Sequence, residues 1–416
     1  MQKRILGAFS TGIVLSTQAI AQTGTSSKAL TTQELSGRVN TITTAVPFLM
    51  ICPDSKQGGM GEVGAATPAD GNSIHWNVAK LAFAEKKSGA AISVTPWLKQ
   101  LVPDIYLYYV AGYGKISKTQ TIGASLRYFS LGNITFTDIV GNTTGQFRPN
   151  EFAVDLAYSQ KLSETFSAGL AMRYVRSNLT GNYTLSNGQA TRPGQTGAVD
   201  VGLYYQTKKN FKVNDKKTAI SLGLVVSNIG AKISYSVKKD FIPVNLRLGG
   251  GYKIDIDDYN TFGIYADINK LLVPTQPVYV KNAQGGDSIN FSTNEKVIEA
   301  GKNPDVPLAK GMLQSFSDAP GGGKEELNEI NYSAGFEYWY AKTFAVRAGY
   351  FNEAKTKGNR KFFTCGIGLR YNVFGLDMAY LIPITQRNPL QNTLRFTLTF
   401  DFGGLNEKGK EAKPTE

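Results

Sequence analysis

The sequence is poor in the residues on which most catalytic and metal chemistry draws. It has one histidine, His75, and two cysteines, Cys52 and Cys365, so imidazole chemistry rests on a single ring and no disulfide framework is possible. No Gly-x-Ser-x-Gly or Ser-His-Asp spacing accompanies His75. The stretch Gly58-Gly59-Met60-Gly61 lacks the preceding strand and the Lys-Ser/Thr of a phosphate-binding loop. No enzyme activity, cofactor or metal is therefore expected. Also missing, past residue 20, is any run of the roughly 18 apolar residues that a membrane helix needs, which excludes a polytopic helical membrane protein. It does not exclude a membrane barrel, whose strands alternate and average out in hydropathy.

What the chain does contain is glycine, 44 of 416 residues, with 21 tyrosines and 22 phenylalanines against 3 tryptophans. That is a β composition. Lys3 and Arg4, an apolar stretch over 5–15 and the small-x-small Ala19-Ile20-Ala21 read as a secretory leader ending at residue 21. The formal charge of +13 stays clearly basic once those two cations are removed. For an exported chain such a balance points to an anionic lipid surface rather than to nucleic acid.

A period-two pattern recurs in blocks of about ten residues, the length of a tilted membrane strand. The clearest blocks are 152–158, 166–174 and 394–402. Others lie at 90–97, 105–113, 121–130, 197–206, 218–227, 244–254, 261–269, 331–340, 343–351, 361–371 and 375–382, which makes fourteen candidate strands. Arg127, Asp155, Arg173, Asp200, Arg247, Asp267, Glu337, Arg347, Arg370, Asp377 and Arg395 fall opposite the large apolar residues. On a sandwich they would be solvent-facing; in a membrane barrel they line the lumen and pair.

Connection lengths separate the two. Those after odd strands, 131–149, 178–196, 228–243, 270–330 and 352–360, are long, whereas 161–164, 341–342 and 372–374 are turns; 98–104 and 208–217 depart from the rule. Long loops on one side and tight turns on the other are the habit of outer-membrane barrels. The expectation is an all-β fold, a single 14-stranded antiparallel transmembrane β-barrel with an N-terminal hatch. Its parts are a leader (1–21), a periplasmic segment (22–46), a hatch or plug (47–86), the barrel (87–403) and a polar periplasmic tail (404–416). Long loops are expected outside the cell and both termini in the periplasm.

The segment before the barrel does not alternate. Irregular chain cannot sit in lipid, so it belongs in the lumen or the periplasm. Cys365 shares the apolar face of its strand with Phe363, Ile367 and Leu369 and should meet lipid, whereas Cys52 precedes the strands, so two free thiols are favoured. Gly249-Gly250-Gly251 offers a possible strand kink. The longest connection, 270–330, carries the apolar cluster Met312, Leu313 and Phe316, a candidate protein-docking patch.

Two stretches resemble a known family. Gly59-Met60-Gly61-Glu62-Val63-Gly64-Ala65-Ala66-Thr67-Pro68 with Trp76-Asn77-Val78-Ala79-Lys80-Leu81-Ala82-Phe83 is similar to the hatch of FadL-type barrels. Its form, together with Tyr380-Leu381-Ile382-Pro383 and Asn388-Pro389-Leu390-Gln391-Asn392-Thr393-Leu394-Arg395-Phe396, resembles the PorV-type branch of the type IX secretion system. Val78 stands where that pattern commonly has proline. The resemblance marks Gly59, Met60, Gly61, Trp76, Asn77 and Ala79 as hatch residues. It implies a non-enzymatic shuttle in outer-membrane lipid that receives the C-terminal signal domain of secreted cargo from the translocon and passes it to surface attachment components, including the sortase. It carries over no cargo-contacting residue, so Met312, Leu313 and Phe316 are nominated only from their place in a long loop. The competing expectation is a FadL-like transporter of hydrophobic small molecules, which needs an apolar lumen.

Overall fold

A computed structural model describes residues 35, 37–99, 101–137, 140–179, 181, 191–208, 211–236, 238–385 and 388–403. The leader, the first part of the 22–46 segment and the 404–416 tail lie outside the described residues. Fourteen antiparallel strands form the wall: β1 Ser88–Pro96, β2 Tyr106–Lys115, β3 Gln120–Ser130, β4 Asn150–Lys161, β5 Phe166–Asn178, β6 Gly194–Gln206 and β7 Lys216–Gly230, then β8 Asn245–Asp255, β9 Asn260–Leu271, β10 Ile330–Tyr340, β11 Phe344–Asn352, β12 Lys361–Tyr371, β13 Phe374–Pro383 and β14 Leu394–Phe402. Each pairs with its sequence neighbours, and β14 pairs with β1 from Ser88↔Phe402 to Val94↔Phe396. Every predicted block is one of these strands. A closed ring leaves no edge whose backbone groups would face hydrocarbon unpaired.

The two faces of the wall separate as their chemistry demands. Leu156 is 60% exposed on the outside, while its chain neighbour Asp155 is wholly buried inside, in register with Arg173 of β5. Both cysteines are free, Cys365 on the outer face and Cys52 buried within.

The connections sort by end. After β2, β4, β8, β10 and β12 they are turns of two to four residues; 207–215 is longer because Lys212–Val213 pairs back onto the start of β7. The other end carries 131–149, 231–244, 272–329, 353–360 and 384–393. The longest of these builds a two-tier hairpin, with Val278–Tyr279 on Ile298–Ala300 and Ile289–Asn290 on Glu295–Lys296, then helices α3 Leu308–Gln314 and α4 Gly323–Asn328.

Residues 47–86 run down the inside of the ring through a 3-10 turn at Pro47–Met50, helices α1 Ser55–Gly58 and α2 Ser73–Trp76, and a second 3-10 stretch at Val78–Phe83. The descent starts among the long connections: Ala45 N–H donates to Phe241 O and Asn40 N–H to Thr356 O. It finishes at the turns, where the Phe83 ring lies under Lys161 Nζ and Lys87 O accepts from Lys115 N–H. Residues 35 and 37–46 thus lie at the long-connection end, and Phe402, paired to Ser88, at the opposite end. For these residues, outward-facing long loops and a periplasmic 22–46 segment cannot both hold. The chain has to enter the lumen from the long-connection end if β1 is to start at the other.

The glycine-rich kink is also corrected. Gly249, Gly250 and Gly251 pair in unbroken register with both β7 and β9. The irregularity lies in β7 between Val226 and Ile229. There Asn228, at φ 60, turns inward, where its N–H donates to Asp200 and its Nδ2 to Pro243 O at 2.9 Å. Inward hydrogen bonds, rather than backbone freedom, decide where the strand breaks step.

Candidate functional site: the filled lumen and the long-connection face

The lumen is occupied by chain whose backbone groups are satisfied by inward side chains of the wall. Ser55 N–H donates to Thr397 Oγ1, Gly61 N–H to Thr364 Oγ1, Ala82 N–H to Ser159 Oγ, and Gly64 and Ala65 N–H together to Asp267 Oδ2 at 2.7 and 3.0 Å. In the other direction, Ser221 Oγ donates to Ala66 O and Arg127 Nη1 to Leu49 O at 2.7 Å. This is how irregular backbone persists at membrane depth.

The hatch residues meet the wall closely. A Cβ on Gly349 would stand 2.1 Å from the Met60 carbonyl carbon, and one on Gly335 2.3 Å from Met60 O. Gly61 has φ +69, and a Cβ there would lie 2.6 Å from both Tyr350 N and O. Gly59 lies against the Gly366 backbone. Trp76 is buried, donates Nε1–H to Asp54 Oδ1 at 2.7 Å, and has Arg247 over its ring at 4.6 Å. Asn77 Nδ2 donates to Ala65 O and Leu203 O, and its Oδ1 accepts Ala79 N–H. Ala79 O accepts Ser159 Oγ and Ser167 Oγ. The structure thus brings these six residues into contact with β4–β8 and β10–β12. The inward glycines of the wall were missed by sequence reasoning, though their signal was there: glycine recurs at lumen-parity positions where other strands carry charge.

Many of the inward charges are paired. Arg173 holds Asp155 and Asp200; Arg347 holds Glu337 and Asp377; Arg395 reaches Glu62 at 2.8 Å. Inside the segment, Lys56 pairs with Asp70 at 2.9 Å, and Lys80 Nζ donates to Gly64 O at 2.6 Å. Asp54 accepts both the Gln57 N–H and Trp76 Nε1–H. His75 Nδ1 lies 2.8 Å from Arg127 Nη2. Because the guanidinium only donates, Nδ1 accepts, and the proton sits on Nε2. The ring is a neutral acceptor within the packing.

On the long-connection face the three nominated residues part company. Met312 packs against the cluster of Phe241, Val244, Leu272 and Val273. Leu313 is 76% exposed, and Phe316 is half exposed beside Lys270. Sequence reasoning overlooked Phe291, fully exposed at the hairpin tip.

Among solved structures, the toluene transporter TbuX of Ralstonia pickettii matches with TM-score 0.44 and 12% identity over 84% of this chain and 98% of its own. A FadL homologue of Pseudomonas aeruginosa matches with TM-score 0.44 and 10% identity over 87% and 99%, and the toluene transporter TodX of Pseudomonas putida with 0.45 and 11% over 83% and 98%. No curated protein matches the sequence. Residues 33–278, more than half of the chain, match the family model described as type IX secretion system protein PorV. The chain is therefore an outer-membrane β-barrel that belongs to the PorV family of the type IX secretion system.

Proposed function

We propose that the chain is a non-enzymatic shuttle that binds the C-terminal signal domain of secreted cargo after translocation and delivers it to the surface attachment complex. In this reading the long connections and residues 35–46 face the outside of the cell, and the short turns face the periplasm. The observation that carries it is the filled lumen. The 47–86 segment is bonded to inward groups on strands all round the ring, so the surface left for work is the long-connection face. The competing transporter needs an apolar path through the barrel; the inner face instead presents Arg173, Arg347 and Arg395, each committed to carboxylates.

The test deletes the gene in its host and compares secreted and surface-attached proteins with those retained in the cell. Loss of surface attachment with unchanged uptake of a hydrophobic compound is the expected result. Normal attachment with reduced uptake would establish the transporter instead.

A further inference from the structure

The outer wall carries a hollow of about 580 Å³ where β6 to β9 run side by side. Its floor is Gly250 and Ala266, which face each other in register; Leu248 and Ile268, the next outward pair, form one bank. Phe166 and Tyr205, at the turn end of β5 and β6, close another side. The three glycines of β8 show that interior fit does not dictate this hollow. Gly249 and Gly251 turn inward and have no room for a side chain: a Cβ would lie 2.2 Å from Asp267 Oδ1 at the first and 2.6 Å from Ser221 Oγ at the second. Gly250 turns outward, where a Cβ would meet only Leu222 Cδ2, at 3.8 Å. It stands midway along β8, Asn245–Asp255, so the hollow opens to hydrocarbon.

Two observations identify the occupant. The strands under the hollow are paired residue for residue, Leu222↔Gly250↔Ala266 and Leu224↔Leu248↔Ile268, so their backbone groups are already bonded to one another. An occupant gains dispersion contacts alone, which a flexible methylene chain that follows the floor supplies. At the turn end of β7, Lys212 and Lys217 lie directly opposite each other, both exposed, with Lys216 beside them and Asp215 in the turn. Like charges in facing positions repel, and an anion between them removes the penalty. From Lys217 to Leu222 is five residues, about 17 Å along a tilted strand; the half-thickness of the hydrocarbon core is about 15 Å. We infer that the hollow and the lysines together hold a single anionic phospholipid of the leaflet on the turn side, its phosphate between Lys212 and Lys217 and one acyl chain over Gly250 and Ala266. This seat is independent of what docks on the long-connection face.

The test is native mass spectrometry of the full chain in detergent, offered equal amounts of phosphatidylglycerol and phosphatidylethanolamine. The parent should retain a single phosphatidylglycerol in preference to phosphatidylethanolamine. Gly250→Leu and Ala266→Leu, which fill the floor, should each lower retention about tenfold, the effect of losing roughly a dozen carbon contacts. Ala124→Leu, at an exposed outward position of β3, should leave it unchanged. Lys212→Gln combined with Lys217→Gln should erase the preference for the anionic lipid. Unchanged heat-dependent gel mobility shows that each variant is a folded barrel. Retention untouched by both floor variants overturns the acyl seat and leaves the lysines as an anion patch only. Equal retention of the two lipids by the parent overturns the headgroup assignment. Dimers of the parent that Gly250→Leu abolishes would put the wall of a second copy in the hollow and overturn the inference.

Discussion

At the scale of single residues, the structure turns on where side chains are missing. Gly349 and Gly335 leave room for the Met60 carbonyl, and the Met60-Gly61 peptide comes close enough for Gly61 to bond Thr364. Replacing Gly349 by alanine puts a methyl within 2.1 Å of backbone, which cannot step aside as a flexible side chain would. The expected cost is about 1–3 kcal/mol of overpacking, read as a lower melting temperature in detergent. Gly114, where a Cβ would meet nothing within 4 Å, is the control, and its alanine variant should melt with the parent. Equal melting of the two variants would mean that the inward glycines are not seats for the interior chain. Such positions are only half legible in sequence. Parity places Gly349 on the inner face, but nothing local says that Met60, far away along the chain, will lie against it.

At the scale of elements, the long connection 272–329 is held down by a buried charge cluster. Lys357 Nζ bonds Glu325 and Glu329 at 2.6 and 3.0 Å, with all three side chains at most 4% exposed, and Lys270 bonds Glu326 and Glu329. Replacing Lys357 by methionine leaves Glu325 buried with no lysine beside it and Glu329 with Lys270 alone. Breaking a buried pair from one side costs about 3–5 kcal/mol, so protease should cut the 272–329 connection of that variant much faster than in the parent. The exposed pair Lys208–Glu164 at the other end, by contrast, should be removable without measurable effect.

Asp318 in the same connection gives a pH dependence. Burial raises it from 3.8 to about 6, against the Thr275 N–H that donates to it. The folded loop therefore binds this proton more tightly than the unfolded chain does. The stability so gained is whole below about pH 4 and is lost as pH rises through about 6. Hydrogen exchange in 308–318 should accordingly be faster at pH 7 than at pH 5, and Asp318→Asn should flatten that difference; exchange independent of pH after correction for the intrinsic rate would refute it. Sequence reasoning named this connection as long and apolar in part, yet placed Met312, Leu313 and Phe316 in one patch. Helix α3 instead turns Met312 onto Phe241 and Leu272 and leaves Leu313 outside, because the helical period separates neighbours that a linear reading groups together.

At the scale of the whole molecule, the threaded segment occupies the inside of the ring. Ser55 and Thr397 face each other with their hydroxyls 3.0 Å apart, so cysteines at both places should join the segment to the wall. Export and surface attachment should proceed normally with that disulfide formed, since the proposed work is done on the outer face. Loss of attachment on oxidation and its return on reduction would show instead that the segment has to move.

The sequence by itself determined the wall. Lipid outside and charge inside impose a period of two on every strand, and that period, with the alternation of long and short connections, can be read without coordinates. It also marked the hatch, because irregular glycine-rich chain before a barrel has few places to go. What only the tertiary structure decided is the direction in which that chain runs through the ring, which glycines it rests on, and where β7 breaks register. These depend on contacts between groups hundreds of residues apart, such as Ser55 with Thr397 and Gly64 with Asp267. A local pattern records which face a residue takes, but not which distant partner satisfies it there.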